Sequence, residues 1–210
     1  MKIILQDRKD AGQKLAAELN RYADSKPIIL GMPRGGVVVA YEIALALKAL
    51  LDIIVTRKIA HPLSPEYAIG AIAPGDITSF NKQAMDINAT AITKLIAQEK
   101  AEMARRIIAY RGKRAPLKLK NRVVIIADDG VATGQTALVA IRAIRKMQPQ
   151  KIVFACGVAA ANSLTMLQQE ADEVVCLRVP TNFYAVGQWY RDFSQTTDEE
   201  VIQLLNLAEK

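Results

Sequence analysis

The sequence predicts a doubly wound α/β fold, a central and mainly parallel sheet flanked by helices, on three observations. Short apolar runs alternate with helical patterns along most of the chain, the order that builds βαβ units. One run, 123–127, is apolar without a break, as a strand buried on both faces requires. Two strand-to-helix junctions, 31–36 and 130–136, are rich in glycine and small residues, and such junctions face the edge of a parallel sheet where ligands bind. A length of 210 residues with 51% hydrophobic content fits a single domain over 1–210, with a core over about 10–178 and a C-terminal segment over about 180–210.

The elements follow in order. Residues 10–22 place Ala11, Leu15, Leu19 and Tyr22 at helical spacing, with Asp10 as the N-cap. A short buried strand, 27–30, runs into the loop Gly31-Met-Pro-Arg-Gly-Gly36, and an apolar helix continues over 37–47. That loop is not a dinucleotide fingerprint, because Pro33 stands where Gly-x-Gly-x-x-Gly needs its second glycine. It offers one guanidinium, Arg34, beside two glycines whose N–H groups open toward a helix start, a cradle suited to a diphosphate. The next strand, 52–56, ends at Arg57 and Lys58, two cations at the same sheet edge.

The stretch 59–75 holds Pro62, Pro65, Gly70, Pro74 and Gly75 and reads as a mobile loop entering a hairpin whose second strand is 77–80. His61 and Glu66 lie in it, each able to handle a proton over a closed site, and each more at home as a solvated loop residue. Residues 89–110 form the longest helical pattern, with Gly112 as its stop and a polar gap at 98–102 that is expected to leave the core toward a subunit partner. A linker, 113–120, leads to the central strand 123–127.

Asp128 and Asp129 follow that strand, and 130–136 make a small-residue turn before the next helix. The first turn of a helix has N–H groups without internal partners and a partial positive charge, so a phosphate settles there. Gly134 lets the backbone approach, Thr133 and Thr136 add hydroxyl donors, and the two acids can accept from vicinal sugar hydroxyls or hold a magnesium ion through water. A P-loop is excluded, since no Gly-Lys-Ser/Thr follows the turn. Strands at 151–158 and 173–178 with a helix at 163–170 complete the alternation. From Pro180 aromatics and amides gather, and Tyr184 or Trp189 could stack a flat acceptor, the competing reading being a small satellite core that pins the last helix, 198–208.

The formal charge of +7 and a pI near 9.4 favour anionic partners, either phosphorylated metabolites or nucleic acid. The cations are scattered and no nucleic-acid-binding signature is present, so no specific nucleic acid is expected. Cys156 and Cys176 lie in strands without a Cys-x-x-Cys pairing, as buried thiols of a reducing compartment do. No secretory or membrane-spanning run is read, so a cytoplasmic location and no membrane contact are expected. His61 is the only histidine, which excludes multi-histidine metal sites.

The segment VVIIADDGVATGQT, 123–136, resembles the phosphoribosyl pyrophosphate (PRPP) signature of type I phosphoribosyltransferases. The chain also has the layout of a bacterial subgroup with an early Pro-Arg-Gly-Gly loop and an ending similar to FYAVGQWYRDFSQTTDEE. The resemblance implies the type I fold, with a small hood made by chain-terminal segments and a flexible lid. It implies that Asp128 and Asp129 address the ribose hydroxyls and the metal, that Ala132, Thr133, Gly134, Gln135 and Thr136 hold the 5-phosphate, and that Gly31, Arg34, Gly35 and Gly36, with Arg57 and Lys58, hold pyrophosphate. Asp128, Asp129, Glu66 and Lys58 become the catalytic candidates, and Tyr184 and Trp189 the acceptor-binding ones. The implied reaction uses PRPP and magnesium (Mg2+), carried mainly by the ligand's oxygens, to transfer a phosphoribosyl group to a nucleobase-like nitrogen acceptor with release of pyrophosphate. A homo-oligomer, a dimer, is expected. A PRPP-sensing regulator without turnover is the alternative. Enzymes for 6-oxopurines carry an aspartate where this chain has Ala132, which disfavours hypoxanthine and guanine.

Overall fold

A computed structural model describes residues 5–209. From the N-terminus, α1 (Arg8–Leu19) leads through a 3₁₀ turn into β1 (Ile28–Gly31), α2 (Gly35–Leu47) and β2 (Leu50–Ile53). Three strands follow, β3 (Arg57–His61), β4 (Ser64–Ala73) and β5 (Ile77–Phe80), and then the long α3 (Ala89–Arg111). The chain next alternates β6 (Val123–Val131), α4 (Gln135–Lys146), β7 (Lys151–Ala159), α5 (Ala161–Gln168) and β8 (Glu173–Cys176), and ends with α6 (Asp198–Leu207). Five strands form one sheet in the order β2-β1-β6-β7-β8, and every pair in it is parallel.

The period of two along β6 divides the core. Val123, Ile125 and Ala127 face Leu15, Leu19, Val37 and Ile43 of α1 and α2, while Val124 and Ile126 face Leu138 and Ile141 of α4 and Leu167 of α5. Burial on both faces explains the unbroken apolar run, and the α/β prediction with its parallel sheet is borne out. Among the described residues no helix is long and apolar enough to cross a membrane.

Several local expectations are corrected. The N-cap of α1 is Asp7, which accepts from the Asp10 amide at 2.8 Å, whereas Asp10 accepts from Gln6 N and Lys14. The strand expected over 52–56 is β2 and ends at Ile53, and Arg57 begins a different sheet. That second sheet, β3-β4-β5, is antiparallel and replaces the loop expected over 59–75. Its apolar residues explain why: Ala71, Ala73 and Ile77 pack on Val139 and Ala143 of α4, and Ile59, Ile69 and Ile72 join the α1–α2 side of the core. The polar gap of α3 turns toward the chain itself, with Glu99 paired to Arg57 and Lys100 to Asp76. Gly112 stops α3 as expected, at φ +52° with its N–H on Ile108 O.

Candidate functional site

β6 runs four residues past its apolar half, because Asp128, Gly130 and Val131 stay in register with Cys156, Val158 and Ala159 of β7. The acids therefore belong to the strand and not to the turn after it. Adjacent strand residues alternate in direction, yet both acids reach one space, a cavity of about 340 Å³. Asp128 lines two neighbouring cavities of about 340 and 210 Å³, whereas Asp129 lines only the larger. Thr136 also lines both, so the two spaces adjoin at Asp128 and Thr136.

The smaller cavity is built on residues 132–136 at the start of α4, with Lys58 of β3 and Val186 opposite. Gly134 is the N-cap at φ +75°, and a Cβ there would come 2.6 Å from Met166 Cε, so glycine answers both the backbone and the space. The turn is held from two sides. Ser163 Oγ of α5 donates to Ala132 O at 2.5 Å, and Ser79 Oγ of β5 donates to Gln135 Oε1 at 2.9 Å. No side chain caps the first turn of α4 and no acid lies in it, which leaves its N-terminus suited to an anion.

The larger cavity lies over the loop 31–36. Arg34 precedes α2, whose first turn likewise has neither a capping side chain nor an acid. The Pro33–Arg34 peptide bond is cis. A Cβ on Gly36 would stand 2.7 Å from Ala127 O and 2.9 Å from Asp128 Oδ1, so the absence of side chains lets this loop lie against the end of β6. Arg34 Nη1 is 3.5 Å from Asp198 Oδ1 at the start of α6, and the same oxygen accepts from Tyr110 OH at 2.7 Å. Two helix starts thus converge on Asp128 from either side.

Burial pushes the Asp128 carboxyl well above the usual carboxylate range, and the neighbouring charge of Asp129 adds to it. Burial also raises Asp129, against the pull of the Arg8 guanidinium. Arg8 Nε donates to Asp129 Oδ2 at 2.6 Å, which makes it part of the site. The helix expected from the sequence begins at residue 10 and leaves Arg8 outside it, and no local pattern marks Arg8, because its partner lies 121 positions away.

The other candidates divide. Lys58 lines the smaller cavity and not the larger one over the loop 31–36 where pyrophosphate is expected, and Arg57 lines neither: its Nε pairs with Glu99 Oε2 at 2.7 Å. The backbone of Glu66 lies in β4, and its side chain falls outside the described residues. His61 Nδ1 accepts from Leu63 N in the β3–β4 turn. Of the two acceptor candidates, one lies at the surface and one in the core. Tyr184 is 82% exposed, whereas Trp189 is only 6% exposed, packs in the core and is overlain by the Arg178 guanidinium at 4.9 Å. Phe193, Gln195 and Thr196 are the residues of that segment that line the larger cavity.

A parallel sheet with two uncapped helix starts at the carboxyl ends of its strands, beside an acid pair, defines the class as doubly wound α/β. The phosphoribosyl transferase domain family matches residues 2–194, and the chain belongs to that family. Two Mycobacterium tuberculosis proteins, from strains CDC 1551 and H37Rv and provisionally named phosphoribosyl transferases, are each 38% identical over 210 residues. The match covers 99% of this chain and 47% of theirs, so the chain spans about half the length of these curated relatives. Crystalline TT1426 from Thermus thermophilus is 36% identical with a TM-score of 0.80, covering 96% of this chain and 97% of that one. AQ2163 from Aquifex aeolicus shares the fold alone, at 15% identity and a TM-score of 0.52 over 87% of this chain and 81% of that one. The resemblance to type I phosphoribosyltransferases is borne out.

Proposed function

We propose that the protein transfers a phosphoribosyl group from PRPP to a nitrogen acceptor and releases pyrophosphate. The observation that carries this reading is the pair of adjoining cavities, since PRPP is a sugar with one phosphate at one end and a diphosphate at the other. In this reading residues 132–136 hold the 5-phosphate at the start of α4. Arg34 and the start of α2 hold the diphosphate, and Asp128, which touches both spaces, accepts from the ribose hydroxyls. Lys58, on the wall of the smaller cavity, adds positive charge there. The enzyme's contribution is then positioning and charge stabilisation as the bond to pyrophosphate breaks.

The acid pair fits a magnesium ion by its chemistry. It presents hard oxygen donors, and burial without enough positive charge raises both carboxyls, a condition a divalent cation relieves. Among the described residues no group of three or more potential ligating side chains occurs, so Asp128 and Asp129 would supply the protein's share and PRPP oxygens the rest. When bound, magnesium would neutralise charge on the departing diphosphate. The same reading places the protein in the cytoplasm, where Cys156 and Cys176 stay as free thiols.

The test is a screen of nucleobases and small amines with PRPP and magnesium, scored by pyrophosphate release. Release that depends on one acceptor is expected. PRPP binding with no release from any acceptor would replace transfer with a PRPP-sensing role.

A further inference from the structure

We propose that Arg8 is a positioning residue of this site, acting through Asp129. The inference rests on the PRPP reading and extends it to a residue on the opposite end of the chain. Backbone pairing brings Arg8 there. Residues 5–6 run alongside 190–192, with Arg191 N on Leu5 O and Asp192 N on Gln6 O, both at 2.8 Å, so α1 starts beside the C-terminal segment. At its first position Arg8 turns inward, with a side chain only 12% exposed.

Its guanidinium is restrained three ways. Nε donates to Asp129 Oδ2 at 2.6 Å, Nη1 donates to Ser194 O at 2.6 Å, and Cζ lies 3.9 Å from the centroid of the Phe193 ring. The Asp129 backbone is held independently, since its carbonyl accepts from Tyr190 OH at 2.5 Å and its neighbours remain in the β6–β7 ladder. What Arg8 decides is the direction of the carboxylate. Gly35 closes the arrangement, because a Cβ there would run into both Asp129 Oδ2 and Arg8 Nε. The ion pair is therefore packed under the start of α2, and the side chain that orients the acid also lies against Phe193, which lines the larger cavity, and holds the backbone of Ser194 beside it. A planar guanidinium with five donors can make these contacts together, whereas an ammonium can replace only the charge.

The test is calorimetric titration of the full chain with PRPP, ribose 5-phosphate and inorganic pyrophosphate, each with magnesium. Arg8→Gln should weaken PRPP and pyrophosphate about tenfold and leave ribose 5-phosphate, whose phosphate sits in the smaller cavity that Arg8 and Asp129 do not line, nearly unchanged, with Arg8→Lys recovering part of the loss. Arg8→Gln combined with Asp129→Asn should bind no worse than Asp129→Asn alone, because both remove the same interaction. Thermal melting checks that each variant is folded. If Arg8→Gln does not fold, the Arg8→Lys cycle with Asp129→Asn is read in its place. Additive losses, or a pyrophosphate affinity unchanged by Arg8→Gln when the unaltered protein binds PRPP, overturn the role of Arg8 alone. Failure of the unaltered protein to bind PRPP overturns the functional reading together with it.

Discussion

Asp128→Asn should leave the ligand-free protein more stable at pH 8 than its parent while weakening PRPP by roughly a hundredfold. The two effects share one cause. The Asp128 carboxyl is buried beside a second acid, and its pKa is raised by that burial first and by Asp129 second. A group whose folded pKa lies above its unfolded one binds its proton more tightly in the native state. Its favourable contribution is complete at low pH and is lost as pH rises through the raised value. As pH rises above the unfolded value, the unfolded chain ionises and solvates this carboxyl while the enclosed native one resists ionising, and Asn removes that penalty while its Oδ1 can still accept from the Asp129 amide, as Asp128 Oδ1 does at 2.9 Å. A gain of about 1–3 kcal/mol is expected. Melting of chelator-treated protein at pH 5 and pH 8 checks this. The gap between parent and variant should shrink at the lower pH, and a variant less stable than the parent at pH 8 would reverse the argument.

Trp189→Ala should cost about 3–5 kcal/mol in a urea titration, a large part of a typical total of about 5–15 kcal/mol. The ring is 6% exposed and belongs to the same cluster as Val201 and Leu205 of α6, so its removal opens a hole between the C-terminal segment and the sheet. Its carbonyl also accepts from Leu5 N at 2.9 Å, which ties the two chain ends at that point. Loss of stability should exceed any selective change in acceptor affinity. A stable variant with a weakened acceptor would restore the stacking role that the burial of this ring argues against.

What could be read from the sequence was what is local. The apolar run of β6, the small-residue turn and the start of α4 lie within 123–146, and their chemistry follows from adjacency. That Asp128 alone reaches the smaller cavity as well was also available, because the strand's alternation aims neighbours differently once the strand is known to continue through them. The antiparallel sheet was hidden by its prolines and glycines, since its stability comes from packing on α4, which only the folded chain brings into reach. Arg57 offered a charge at a plausible edge, and its capture by Glu99 depends on where α3 returns. Arg8 and Trp189 belong to the same kind of case. Each takes its meaning from the joining of the two chain ends, and residue type alone gives no sign of that.

The most direct measurement is calorimetric titration of the unaltered protein with PRPP and magnesium, followed by competition. One PRPP per chain is expected, displaced by ribose 5-phosphate and by pyrophosphate, because each would occupy one of the two cavities that meet at Asp128. Absence of PRPP binding, or binding that neither fragment displaces, would contradict a site shaped for both ends of that molecule.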